Sequence, residues 1–133
     1  MSSETYVPVR DVMSADIKTI DGLASVKDAV QLMRKSKISS VIVERRHEHD
    51  EYGLVTVKDI AEKVLVPDLS PERVSAYEIM RKPVFSIDAK MDIRYAVRLL
   101  SRFGITRSLV LDEGKAVGIV TLRDIVMRHT EMD

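Results

Sequence analysis

Gly53-Leu54-Val55-Thr56-Val57-Lys58-Asp59 and Gly118-Ile119-Val120-Thr121-Leu122-Arg123-Asp124 are two copies of one heptapeptide. Each reads Gly, two apolar residues, Thr, an apolar residue, a basic residue, Asp. Each runs on into further apolar residues, Ile60-Ala61 and Ile125-Val126. Two β-prone residues followed by Thr-x-x-Asp predict a short strand that turns directly into a helix. The Thr hydroxyl and the Asp carboxylate then fall at the helix N-terminus, beside backbone N–H groups that lack intrahelical partners.

Working outward, the same order of elements surrounds both copies. Ile17-Lys18-Thr19-Ile20 alternates like a short strand, and Asp21-Gly22 signals a turn. Ser25 can cap a helix whose apolar face is Val26, Ala29, Val30 and Met33. Val41-Ile42-Val43 reads as a buried strand, Glu44 to Tyr52 as a polar hairpin loop, and Gly53-Leu54-Val55 as the returning strand. A helix from Val57 to about Val66 follows, stopped by Pro67. Ser70 and Pro71 predict a short linker helix through Ala76. The pattern then recurs: Ile79-Met80 follows Val12-Met13, Ala96-Val97 follows Ala29-Val30, and Val110 follows Val43, all at an offset of 67 (Met13 to Met80). At the heptapeptide the offset is 65 (Gly53 to Gly118), the difference being taken up in the shorter loop Asp112-Glu113-Gly114-Lys115. A register that slips only in a loop indicates a duplicated folded unit. Two copies with so long a period imply a pseudo-twofold pair, not a solenoid. The expected architecture is α/β: two β-α-β-β-α units, 7–68 and 69–133, packed through their sheets.

Composition narrows the function. Of 133 residues, 45% are apolar, enough for a core, and 21 basic residues balance 21 acidic ones. A zero formal charge argues against a general nucleic-acid binder. Without cysteine there is no disulfide, thiolate metal site or thiol nucleophile, which fits a cytoplasmic protein. No signal-peptide pattern opens the chain and no apolar run reaches membrane-span length. The three histidines lie in a loop or near the tail, and no phosphate-binding Gly-rich loop with Lys-Ser/Thr is present, so no residues nominate themselves for catalysis.

The two heptapeptides closely resemble the signature of a tandem pair of CBS domains (cystathionine β-synthase type), a Bateman module. The openings Val12-Met13-Ser14 and Ile79-Met80-Arg81 add to the resemblance, as do Ile38-Ser39-Ser40-Val41-Ile42-Val43 and Ile105-Thr106-Arg107-Ser108-Leu109-Val110. The likeness covers about residues 7 to 130 and is weakest in the long charged loop of the first unit. It implies a regulatory module, not an enzyme, that binds AMP, ADP, ATP or S-adenosylmethionine in clefts between the units. In the family the motif Asp holds the ribose hydroxyls and the motif Thr contacts phosphate. Carried over by position, one site combines Thr121 and Asp124 with Ile17, Lys18, Ile38 and Ser39. The other combines Thr56 and Asp59 with Val84, Phe85, Ile105 and Thr106. Arg107 stands where nucleotide-binding members often place an arginine on phosphate, whereas its counterpart is Ser40, so the Asp124 site is favoured. The resemblance also implies a homodimer formed through exposed helix faces and a regulated partner protein.

Each of these residues has a plainer reading. Thr-x-x-Asp can be only a helix cap, worth roughly 1 kcal/mol. A cap and an anion site are compatible, because the helix N-terminus offers N–H donors and a positive dipole end. A carboxylate suits vicinal hydroxyls and repels phosphate, so Asp on ribose and Thr on phosphate is the arrangement that charge permits. Arg107 can be a solvated strand-edge charge or a bidentate phosphate anchor. His47-Glu48-His49-Asp50-Glu51 reads as a solvated loop before a metal site, and the methionines as core filler. The competing functions are a structural dimerisation module with vestigial sites and a nucleic-acid scaffold using Arg34, Lys35, Lys37, Arg45 and Arg46.

Overall fold

The computed structural model describes residues 5–131, so the ends of the predicted lead-in and tail lie outside the described part. The elements are β1 (Thr19–Ile20), α1 (Val26–Ser36), β2 (Ser40–Val43), β3 (Gly53–Thr56), α2 (Val57–Ile60), α3 (Ala76–Ile79), β4 (Ser86–Asp88), α4 (Ile93–Arg102), β5 (Arg107–Asp112), β6 (Lys115–Thr121) and α5 (Leu122–Glu131). They form two three-stranded sheets, ordered β1-β2-β3 and β4-β5-β6. In each, the first pair is parallel, joined through a crossover helix, and the second is antiparallel, joined by a hairpin.

Local chemistry accounts for most of these boundaries. Ser25 Oγ accepts the Asp28 N–H at 3.1 Å, the Asp28 carboxylate accepts the Ser25 N–H, and α1 starts there. The helix ends at Lys37, held in the left-handed conformation at φ 57°, where the second repeat has Gly104 at φ 64°. Asp92 caps α4 by accepting the Arg94 N–H at 3.0 Å. After α2 the backbone widens into a π-helix over Ala61–Leu65, so the predicted helix to Val66 is present but only its first turn is α. The predicted linker helix from Ser70 to Ala76 does not form. Residues 71–73 are a turn, and α3 begins where that helix was expected to stop. Ser75 is the N-cap in place of Ser70, and with Glu78 it makes a capping box. The Val74 carbonyl also accepts the Val26 N–H at 2.7 Å, which ties this segment to the start of α1.

The compact units are cut differently from the sequence repeats at 7–68 and 69–133. One unit runs from Lys18 to Val84, and the other joins the segment ending at Ile17 to residues from Phe85 onward. The opening segment of each repeat therefore completes the other repeat's unit. In the first unit, Leu54 and Arg81 exchange N–H···O bonds of 3.0 and 2.9 Å. Val26, Ala29, Met33, Val41, Val43, Val55, Ile60 and Val64 pack there with Val74, Ala76 and Ile79 from the second repeat's opening. In the second unit, Ser14 and Ile119 exchange the matching bonds at 2.8 and 3.0 Å. Val7 and Val9 pack there among Ile87, Ile93, Ala96, Leu100, Val110, Val120 and Ile125. Where the openings cross the sheet, a side chain beneath them collides with the chain above. A Cβ on Gly53 would lie 2.5 Å from Met80 Sδ, and one on Gly118 2.5 Å from Met13 Sδ and 2.7 Å from the Ser14 carbonyl oxygen. The heptapeptide begins with glycine for this reason.

Candidate functional site

Each strand-to-helix corner is built by the heptapeptide as its spacing predicts. Thr56 Oγ1 accepts the Asp59 N–H at 3.1 Å, and Asp59 Oδ2 accepts the Thr56 N–H at 3.0 Å. At the second corner, Thr121 Oγ1 accepts the Asp124 N–H at 3.0 Å and Asp124 Oδ2 accepts the Thr121 N–H at 2.9 Å. The capping reading of Thr-x-x-Asp is thus correct at both corners. What differs is the carboxylate oxygen that capping leaves over.

At Asp59 that oxygen is already engaged. Its Oδ1 accepts the Arg81 Nε–H at 2.9 Å and has the Lys63 ammonium at 3.8 Å, while Oδ2 also accepts the Thr56 hydroxyl at 2.9 Å. The Asp59 side chain is 1% exposed, whereas that of Arg81 is 54% exposed. Burial pushes the Asp59 carboxyl up, but the hydrogen bonds from Arg81 and Thr56 outweigh it and hold the group below its usual value. Asp124 is half-buried, and among the described residues its Oδ1 has neither a hydrogen bond nor an ion pair. The position matching Arg81 in the other repeat is Ser14, whose side chain carries no charge.

The remaining predicted residues divide between the units. With Thr56 and Asp59 lie Lys18, Ile38, Ser39 and Val84. The Ser39 carbonyl accepts the Val57 N–H at 3.1 Å, so Ser39 sits at that corner, and Ile38 packs on the core beside it. With Thr121 and Asp124 lie Ile17, Phe85, Ile105, Thr106 and Arg107. The Thr106 carbonyl accepts the Leu122 N–H at 2.9 Å, while Ile105 and Phe85 pack on the core. Arg107 is directly opposite Thr121 in the β5–β6 ladder, so their side chains leave the same face of the sheet about 5 Å apart at Cβ. Ser40 holds the equivalent place opposite Thr56. An arginine thus flanks one corner on its neighbouring strand and a serine the other.

Sequence reasoning missed Arg81. The signal was present in the aligned openings, Met13-Ser14 against Met80-Arg81, but nothing local says that residue 81 reaches residue 59.

The other charged features are engaged elsewhere. Asp50 is ion-paired with Lys82 and accepts the Arg46 N–H at 2.9 Å, and these contacts hold its carboxyl well below the usual range. Arg45 and Arg46 lie over the rings of Tyr52 and Tyr77, at 5.0 and 5.4 Å. Two of the five cations considered for nucleic acid therefore also lie against aromatic rings of the protein itself. A hollow of about 520 Å³ beside them is lined by Asp21, Leu23, Arg46, Asp50, Tyr77 and Lys82, among others, and includes none of the predicted site residues.

The family model for the CBS domain matches residues 9–66 and 76–130. An uncharacterised protein of Methanopyrus kandleri is 34% identical over 122 residues, which cover 90% of this chain and 61% of that protein. The chain thus spans about three fifths of that relative's length. Among solved structures, the hexameric CBS-CP12 protein from bloom-forming cyanobacteria is 35% identical with a TM-score of 0.83, covering 93% of this chain and 68% of that one. The CBS domain of the bacterial CNNM/CorC family Mg²⁺ transporter, solved in complex with ATP, is 25% identical with a TM-score of 0.77, covering 93% of this chain and 87% of that one. With a duplicated β-α-β-β-α unit, two capped strand-to-helix corners and two matches in tandem, the chain belongs to the CBS-domain family as a CBS pair.

Proposed function

We propose that this CBS pair is a regulatory module that binds an adenine nucleotide at the Thr121–Asp124 corner and passes its presence to a partner protein. The observation that carries the reading is the unspent oxygen of Asp124. Capping consumes Oδ2 and leaves Oδ1 available to the hydroxyls of a ribose. The Thr121 hydroxyl, the N-terminal N–H groups of the ten-residue helix α5 and Arg107 across the ladder suit the phosphate. Solution of a related CBS domain in complex with ATP is consistent with this chemistry. No covalent chemistry is assigned to the site: its donors and acceptors hold a ligand, and the signal is a shift between conformations that bind it unequally.

Apolar side chains stay exposed on the helices that follow the two corners: Val57, Leu65 and Val66 after the first, Val126 and Met127 after the second. We read the exposed helix face of each unit as a contact of a homodimer, to be checked by sedimentation equilibrium of the wild type and Val66→Glu. The binding test is thermal unfolding with AMP, ATP, S-adenosylmethionine and, as control, GMP. An adenine ligand at 100 times its dissociation constant adds about 2.7 kcal/mol of apparent stability. The shift disappears in Asp124→Ala. No shift with any adenine ligand, in protein verified free of bound nucleotide, moves the reading to a structural interaction module.

A further inference from the structure

We infer that Arg81 closes the Thr56–Asp59 corner, so that the chain takes one adenine nucleotide and not two. This rests on the reading of the motif Asp as the ribose-binding group. A ribose at Asp59 needs a carboxylate oxygen, yet Oδ2 carries two bonds from Thr56 and Oδ1 carries the Arg81 Nε–H and faces Lys63. The sugar therefore has to compete with a charge-assisted bond at Oδ1, on a side chain only 1% exposed. At 1.5–3 kcal/mol for such a bond, the handicap is about 10- to 100-fold in affinity.

The device is set by one residue. Arg81 and Ser14 occupy the same place in the two openings, each in an antiparallel bridge to the heptapeptide's strand, Arg81 to Leu54 and Ser14 to Ile119. Where the opening carries arginine, the guanidinium reaches the motif carboxylate. Where it carries serine, Asp124 keeps Oδ1. The two corners share a backbone and a cap, and they differ in whether the protein supplies its own cation. The corner with the internal cation also lacks the strand arginine, having Ser40 where the other has Arg107. Both differences favour the Asp124 corner.

The experiment is isothermal titration of the full chain with AMP and with ATP, comparing wild type, Arg81→Ser, Ser14→Arg, Asp59→Asn and Asp124→Asn. One site per chain is expected in the wild type, lost in Asp124→Asn and retained in Asp59→Asn. Arg81→Ser places the other repeat's residue in the opening and gains a second site. Ser14→Arg weakens the first site about 10- to 100-fold. If Arg81→Ser does not fold, the Asp59→Asn and Ser14→Arg arms still decide the matter. Two sites in the wild type, loss of the wild-type site in Asp59→Asn, or a folded Arg81→Ser that still binds once would overturn the closure while leaving nucleotide binding in place. Absence of binding by every variant and by the wild type overturns the proposed function, and the closure with it.

Discussion

Gly53 and Gly118 open the two heptapeptides under the same kind of crossing chain, yet replacing them with alanine has unequal consequences. At Gly53 the new methyl lies 2.5 Å from Met80 Sδ, 3.1 Å from its Cγ and 3.3 Å from its Cβ. The two nearest atoms, Sδ and Cγ, belong to a flexible side chain that can rotate away, and only Cβ is fixed. At Gly118 the methyl meets Met13 Sδ at 2.5 Å and also the Ser14 carbonyl oxygen at 2.7 Å. That oxygen accepts the Ile119 N–H at 3.0 Å, so moving it breaks the bridge that fastens the opening to β6. Overpacking costs about 1–3 kcal/mol and a lost backbone bond about 1 kcal/mol. Gly53→Ala should therefore cost about 1–2 kcal/mol and Gly118→Ala about 3–4 kcal/mol. With a urea m-value of about 2 kcal/mol/M, the midpoints fall by about 0.5–1 M and 1.5–2 M. The discriminating assay is a pair of double-mutant cycles followed by far-ultraviolet circular dichroism. Met80→Ala should remove most of the cost of Gly53→Ala, because it removes Sδ and Cγ and leaves only the Cβ contact at 3.3 Å. Met13→Ala should leave much of the cost of Gly118→Ala, because the carbonyl stays. Equal costs at the two glycines, or equal rescue by the two methionine truncations, would refute the reasoning.

Three further outcomes follow from individual contacts. The Asp59 carboxyl is held below its usual value, so its contribution to stability is present above the unfolded value of about 3.9 and is lost as pH falls through the lower folded value. Asp59→Asn should thus flatten the acid limb of a stability-against-pH curve, and an unchanged limb would remove Asp59 from the account. Asp92→Ala deletes the α4 cap and the 2.8 Å pair with Arg94, and should lose about 1–2 kcal/mol by chemical denaturation. Lys37→Gly relieves a left-handed non-glycine residue where the other repeat already uses Gly104, and should gain about 0.5–1 kcal/mol, read as a rise of about 2–4 °C in Tm.

Most secondary structure was legible because its causes are local. Ser25 with Asp28, Thr56 with Asp59 and Thr121 with Asp124 each lie three residues apart, and a cap needs only that spacing. The linker was misread for the same reason. Ser70 followed by Pro71 is a reasonable helix start, but Ser75 with Glu78 is the pair that forms the box, and the carbonyls of Pro71 and Val74 accept the Lys27 and Val26 N–H groups at the start of α1 instead. The loop at residues 47–51 offered histidines and carboxylates to a metal reading, while its Asp50 is bound by Lys82, 32 residues away.

The duplication, the order of elements along the chain and the corner residues Thr56, Asp59, Thr121 and Asp124 were determined by the sequence alone, since periodicity and capping act over a few residues. Tertiary structure decided which opening completes which unit, why glycine begins the heptapeptide, and which carboxylate remains unspent. Those outcomes depend on chain segments 22 to 105 residues apart in sequence (Asp59 to Arg81, Ser14 to Ile119) being brought within hydrogen-bond reach. A charge neutralised at that range leaves no trace in the motif itself: Asp59 and Asp124 read alike until Arg81 and Ser14 are placed beside them.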